Sequence, residues 1–165
     1  MKLYTGLLIL DTNIFIEAHR RYYAFDIAPG FWEKLKTKAE IGLVKSIINV
    51  YEELQRGSKD KLALWADESF FDHFVSCSAD EVIAAYTEII NWANGIYSPA
   101  VVAEFAGIAD GWLIAFAYAN KTTLVTNESR QKRTSKITIP DVCKQFDIDY
   151  IDVYDMLREL GITLH

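Results

Sequence analysis

Four carboxylates in four separate segments carry the chemistry that this sequence offers. Asp11 ends the apolar run 7–10, and Glu53 lies in an amphipathic stretch, 48–54. Asp110 opens a strongly apolar segment, and Glu128 follows a short β-type run, 123–126. Carboxylates crowded together without a cation repel one another, and some stay protonated. Mg²⁺ or Mn²⁺ relieves that repulsion and favours such oxygen ligands. A cation held this way lowers the pKa of a bound water and steadies a phosphoryl oxygen. A second, roughly 4 Å away, stabilises a leaving oxygen. That chemistry suits hydrolysis of a phosphodiester with no covalent nucleophile.

The elements must bring these acids together. The run 7–10 suits a central strand covered on both faces, as in a parallel sheet. A helix begins at Thr12 or Asn13 and runs to about Ala18. A loop rich in arginine and aromatic residues follows, and 31–37 reads as a second helix. Residues 43–45 form a short strand. A helix over 47–56 stops at Gly57, a natural C-terminal cap, and another covers 59–66 with Trp65 facing inward. In 79–93 the positions Val82, Ile83, Tyr86, Ile89, Ile90 and Ala93 keep helical spacing. Ser98 and Pro99 resemble a cap and first turn. Residues 110–119 are apolar nearly all round and predict a buried helix. A strand at 123–126, a helix at 139–146, a strand at 150–151 and a helix at 153–160 complete the chain.

Strands alternating with helices predict an α/β fold, a three-layer α/β/α sandwich with a short parallel sheet of four or five strands. In such a fold the strand C-termini and helix N-termini share one edge, where ligands bind. Asp11 and Glu128 follow strands, Asp110 starts a helix, and Glu53 lies one or two turns into one. All four reach one cleft on this reading.

Size and composition set bounds. The chain has 165 residues, 51% of them hydrophobic, with 8 glycines and 3 prolines. These values predict one domain, 1–165, with one core. Asp11 interrupts the first apolar run too early for a signal-peptide core, and no apolar stretch is long enough to span a bilayer. The cysteines, Cys77 and Cys143, lack metal-ligand spacing, and a reducing cytoplasm is the expected setting. The net charge of −6 argues against a general nucleic-acid surface. Four of those negative charges belong to the candidate site itself. A local basic run, Arg130, Lys132, Arg133 and Lys136, follows Glu128 and either contacts an RNA backbone or is a solvated loop.

The motifs LILDTN (ending at Asn13), VYEEL (50–54), ADGWLIAFA (109–117) and LVTNE (124–128) together resemble those of PIN-domain ribonucleases. VapC-type toxins of bacterial toxin–antitoxin pairs belong to that family. The resemblance runs from about residue 7 to 160. Residues 21–32 and the IPDVC stretch, 139–143, resemble an uncharacterised bacterial PIN-like subgroup. The resemblance implies a Mg²⁺- or Mn²⁺-dependent endoribonuclease with Asp11, Glu53 and Asp110 as core ligands. It also implies a protein antitoxin that blocks the site, and a homodimer. Asn13 matches a polar position that often supports the first aspartate. One departure stands out: many PIN domains carry aspartate two residues after the threonine of the last motif, where this chain has Glu128. The longer acid completes the site directly or through water.

Each residue also has a plainer reading. Asp11 and Asp110 suit helix N-termini. Asn49 and Glu52 have capping-box spacing, so Glu52 competes with Glu53. Asn127 is an alternative to Glu128. Thr12 and Thr126 either orient carboxylates through their hydroxyls or are ordinary turn and strand residues. Arg20, Arg21, Tyr22 and Tyr23 either stack on unpaired bases or form a partly buried helix connection or a dimer contact, and Trp32, Trp65, Trp92 and Trp112 read as packing residues. Two rival functions remain: a non-catalytic RNA- or protein-binding module on the same scaffold, and a phosphatase with Asp11 as nucleophile. The latter usually wants a second acid two residues on, where Asn13 stands.

Overall fold

Runs of two to four residues suffice as strands here because helices cover both faces of the sheet. The computed structural model describes residues 6–56, 60–130 and 135–164. β1 (Leu8–Leu10) is wholly buried and pairs in parallel with β2 (Val44–Ile47) and β4 (Thr123–Val125). β3 (Phe74–Val75) and β5 (Tyr150–Ile151) extend the sheet at its two edges. The order is β3-β2-β1-β4-β5, and every pairing is parallel. The chain therefore works outward from β1 to one side, then crosses to β4 and works outward to the other. Neighbouring strands whose connections depart in opposite directions leave a crevice at their C-terminal ends. That crevice lies between β1 and β4, in the sheet of a three-layer α/β/α sandwich.

The helices are α1 (Thr12–Glu17), α2 (Pro29–Glu40), α3 (Ile48–Gln55), α4 (Lys61–Ser69) and α5 (Asp80–Asn94). They continue with α6 (Pro99–Ala106), α7 (Asp110–Asn120), α8 (Ile139–Phe146) and α9 (Val153–Glu159). Ser98 caps α6 by accepting from the Val101 N–H, as its sequence suggests. Gly57, the expected stop of α3, and Lys59, the expected start of α4, lie outside the described residues. No single helix among the described residues is long and apolar enough to cross a membrane.

Three local expectations need correction. The chain does not enter a loop after Ala18: it continues from α1 as a π-helix, Ala18–Tyr22. β3 is only two residues long, Phe74 and Val75, too short for a pattern search; it pairs through its backbone beside β2. Ile83 is 44% exposed, and Ala85 takes its place on the buried side of α5.

Aromatic residues bind α1, α2 and α4 together. Phe25 stacks on Trp32 at 4.4 Å, Trp32 meets Trp65 at 4.8 Å, and Trp65 stacks on Phe70 at 5.0 Å. The Trp32 indole N–H donates to the Tyr23 carbonyl at 2.6 Å. Tyr23 itself stacks on Phe31 at 4.6 Å. Trp32, Trp65 and Tyr23 are thus packing residues. Each such ring pair contributes about 0.5–1.5 kcal/mol beyond its buried area.

α7 is the central helix, packed by α5, α6, α8 and the sheet. Its second residue is glycine for a steric reason. A Cβ on Gly111 would lie 2.9 Å from Tyr86 Cε2 and 3.2 Å from Phe105 Cε2. Tyr86 cannot swing aside freely, because it stacks on Trp112 at 3.8 Å and 5°. On an open helix face, alanine would gain about 1 kcal/mol over glycine. Here Gly111→Ala should instead destabilise the protein by about 1–3 kcal/mol through overpacking. Urea unfolding checks this, and a stabilised variant would contradict the packing account.

Candidate active site

Asp11 leaves β1 at the crevice, with its backbone N–H bonded to the Val125 carbonyl at 3.0 Å. Its side chain is only 1% exposed. It occupies the N-cap position of α1, yet its carboxylate closes no capping hydrogen bond. The first-turn amides of Thr12 and Asn13 act on it, but more weakly than burial does. The carboxylate instead accepts from the Thr126 hydroxyl at 3.0 Å. The same Thr126 oxygen accepts from the Glu128 N–H at 3.1 Å. Thr126 thereby links the ends of β1 and β4.

Glu53 projects from α3 and ties two helix starts. Its Oε1 accepts from the Thr12 hydroxyl at 2.6 Å, and its Oε2 accepts from the Ala109 N–H at 2.9 Å. Glu52 is exposed, so of the two neighbours Glu53 is the one turned to the cleft. Asp110 follows Ala109 as the first residue of α7 and is 8% exposed. Among the described residues it accepts no hydrogen bond. Glu128 Oε2 accepts from the Ile139 N–H at the start of α8 at 2.9 Å, and Oε1 lies 3.6 Å from the Lys136 ammonium.

The charges of these groups reach one another. Burial first, then the Glu128 charge, raises the Asp11 pKa to about 7, against smaller lowering by Thr126 and the Thr12 and Asn13 amides. Burial first, then the charges of Asp11, Glu128 and Glu53, raises that of Asp110 to about 8. Lys136 is the cation that opposes this. The fold thus gathers all four acids into one electrostatic neighbourhood.

The donor set suits a hard divalent cation in kind: every candidate ligand is a carboxylate oxygen, and two are buried against like charge. Glu53 and Glu128 already accept hydrogen bonds, but each carboxylate oxygen has two lone pairs and can take a further partner. The set is not closed as it stands. No group of three or more His, Cys, Asp or Glu side chains among the described residues is arranged as a metal site.

The remaining expected residues divide. The Asn13 side chain is exposed, and only its backbone N–H acts on Asp11. Arg130 pairs with Asp141 at 3.0 Å, while Lys132 and Arg133 lie outside the described residues. Asn127, the alternative to Glu128, is engaged with other elements: it donates to Glu17 at 2.9 Å and accepts from the Val153 N–H at 3.1 Å. Sequence reasoning missed Glu17 and the Ala109 amide, since neither has a local signal for a partner more than fifty residues away. Both cysteines are buried, which pushes the Cys77 thiol up to about 11 and that of Cys143 up to about 12. Neither is a thiolate nucleophile at neutral pH.

A family model described as "Domain of unknown function (DUF4411)" matches residues 8–164. Among solved structures, the chain is similar to one in VapBC2 from Rickettsia felis bound to a DNA fragment from their promoter. The identity is 18% and the TM-score 0.52, over 88% of this chain and 98% of that one. It is also similar to one in FitAcB from Neisseria gonorrhoeae, with 16% identity and a TM-score of 0.51, over 88% of this chain and 96% of that one. No curated protein matches the sequence. At such identities the likeness concerns the fold, which is the PIN-like architecture that the four motifs resemble.

The raised acids set a pH dependence. Acids whose folded pKa lies above the unfolded value stabilise the fold while protonated and lose that contribution as pH rises. For Asp11, raised to about 7, and Asp110, raised to about 8, the window runs from the ordinary carboxylate range up through those values. Without divalent cations, the melting temperature should fall between about pH 5 and about pH 8.5, and Asp110→Asn should flatten the fall. Equal slopes in wild type and variant would contradict the buried, mutually repelling pair.

Proposed function

Because the chain belongs to the DUF4411 family and gathers four acids at the crevice of a PIN-like fold, we propose that it is a divalent-cation-dependent endoribonuclease, the toxin of a toxin–antitoxin pair. The observation that carries this reading is the acid quartet at the β1/β4 crevice. Asp110 there is buried among like charges without a hydrogen-bond donor among the described residues. The likeness in fold to chains of VapBC2 and FitAcB supports the toxin role. An antitoxin segment that covers the crevice would be the protein partner, and the active form would be a homodimer.

On this reading Asp11, Glu53 and Asp110 hold Mg²⁺ or Mn²⁺, and Glu128 completes the set directly or through water. The bound cation supplies charge stabilisation at the phosphate and a more acidic water. The chain's own residues do the positioning. Thr126 fixes Asp11 against β4, and Thr12 with the Ala109 amide fixes Glu53 between α1 and α7. Lys136 holds Glu128 toward α8. To hold a cation, Asp11 and Asp110 would have to be ionised, and a bound cation would offset the like charge that disfavours this.

Asp11→Asn keeps the size of the side chain and removes its charge. Cleavage of an RNA panel in Mn²⁺ should fall by at least about a hundredfold, as for loss of a major electrostatic contribution. The variant should keep its circular dichroism spectrum. Chelator should abolish cleavage by the wild type. Full activity in the variant, or in chelator, would falsify this assignment.

A further inference from the structure

The acid quartet leaves one neighbouring feature without a role: a cleft of about 220 Å³ that shares Glu53 with it. Its polar lining is His19, Arg20, Glu53, Arg56 and Asp60, over an apolar floor that includes Leu54 and Leu62. Resting on the nuclease reading, we propose that Arg20 and Arg56 hold the phosphate next to the scissile one in a single-stranded RNA.

The cations in this cleft are uncommitted, whereas its acids are engaged. Neither Arg20 nor Arg56 forms an ion pair among the described residues. Asp60 caps α4 by accepting from the Ala63 N–H at 2.8 Å. Both oxygens of Glu53 accept hydrogen bonds, from Thr12 and Ala109. Nδ1 of His19 is buried without a hydrogen-bond partner. Arg56 directly follows α3, three residues after Glu53. His19 and Arg20 reach the cleft from the π-helix Ala18–Tyr22. Wide turns of this kind are uncommon and recur at functional sites.

A polyanion meets a crevice of four acids only if cations offset the repulsion nearby. Arginine suits that task, because its planar fork matches phosphate geometry and stays charged at any working pH. The apolar floor offers a surface for the sugar. Arg20 and Arg56 are on this account positioning residues, which set where the chain lies relative to Asp11 and Asp110.

The test is fluorescence anisotropy of a labelled oligouridylate with the full chain in chelator, followed by cleavage kinetics in Mn²⁺. Arg20→Gln and Arg56→Gln should each weaken binding about tenfold, as for loss of a charge-assisted hydrogen bond. Each should also reduce the salt slope by about 0.7. Arg20→Lys, which keeps the charge, should recover part of the binding. In cleavage the loss should appear in KM more than in kcat. No binding by the wild type, or equal binding and KM in all variants, overturns the subsite and leaves the nuclease reading intact. Arginine-dependent binding with no cleavage in any divalent cation supports the phosphate subsite and overturns the nuclease reading.

Discussion

Like charge held out of water is the constraint on which this structure turns. The parallel sheet directs the ends of β1 and β4 and the start of α7 to one crevice, and the chain places carboxylates at each. Asp11 and Asp110 are the acidic residues buried among the described residues, where the other buried polar groups are hydroxyls of Ser and Thr. Their neighbours do not neutralise them: burial and the other acids both push toward protonation. An arrangement that costs stability in this way needs a compensating partner, and among the described residues the cation that opposes it is Lys136.

A hydrogen-bond web holds the repelling groups in place. Thr12, Glu53 and the Ala109 amide join α1, α3 and α7. Thr126 joins β4 to Asp11, and Glu128 joins the strand end to α8. Asn127 adds α1 and α9 through Glu17 and the Val153 amide. Asp11, Glu53 and Asp110 sit on a regular element or immediately beside one, and Glu128, three residues past β4, is tied to the start of α8, so the site inherits the rigidity of the sheet and its helices. Aromatic packing behind it fixes α1, α2 and α4, and with them the π-helical turn that carries His19 and Arg20 to the neighbouring cleft.

Much of this was legible in the sequence where a local signal and the tertiary outcome agree. The run before Asp11 reads as a buried strand and is one. Ile139 and Pro140 start α8, and Ser98 caps α6, as their residue types dictate. What could not be read has physical causes. β3 is two residues long and owes its existence to pairing with β2, not to its own pattern. The π-helix at 18–22 has the composition of a loop. Ile83 keeps helical spacing but faces outward, because the buried stripe of α5 is shifted toward Ala85. Periodicity could not separate Glu52 from Glu53; the direction that α3 faces does. Nor could it show that Glu128 would anchor α8 through the Ile139 amide, or that Asn13 would turn to solvent.

Metal binding at this site would be coupled to deprotonation of Asp11 and Asp110, and calorimetry reads both. Mn²⁺ titrated into the protein at about pH 7, in two buffers of different ionisation enthalpy, measures affinity and protons released together. Saturable binding with proton release that Asp11→Asn diminishes is the predicted result. No heat of binding, or binding with no proton released, would contradict the claim that a cation shared by Asp11 and Asp110 would displace their protons into the buffer.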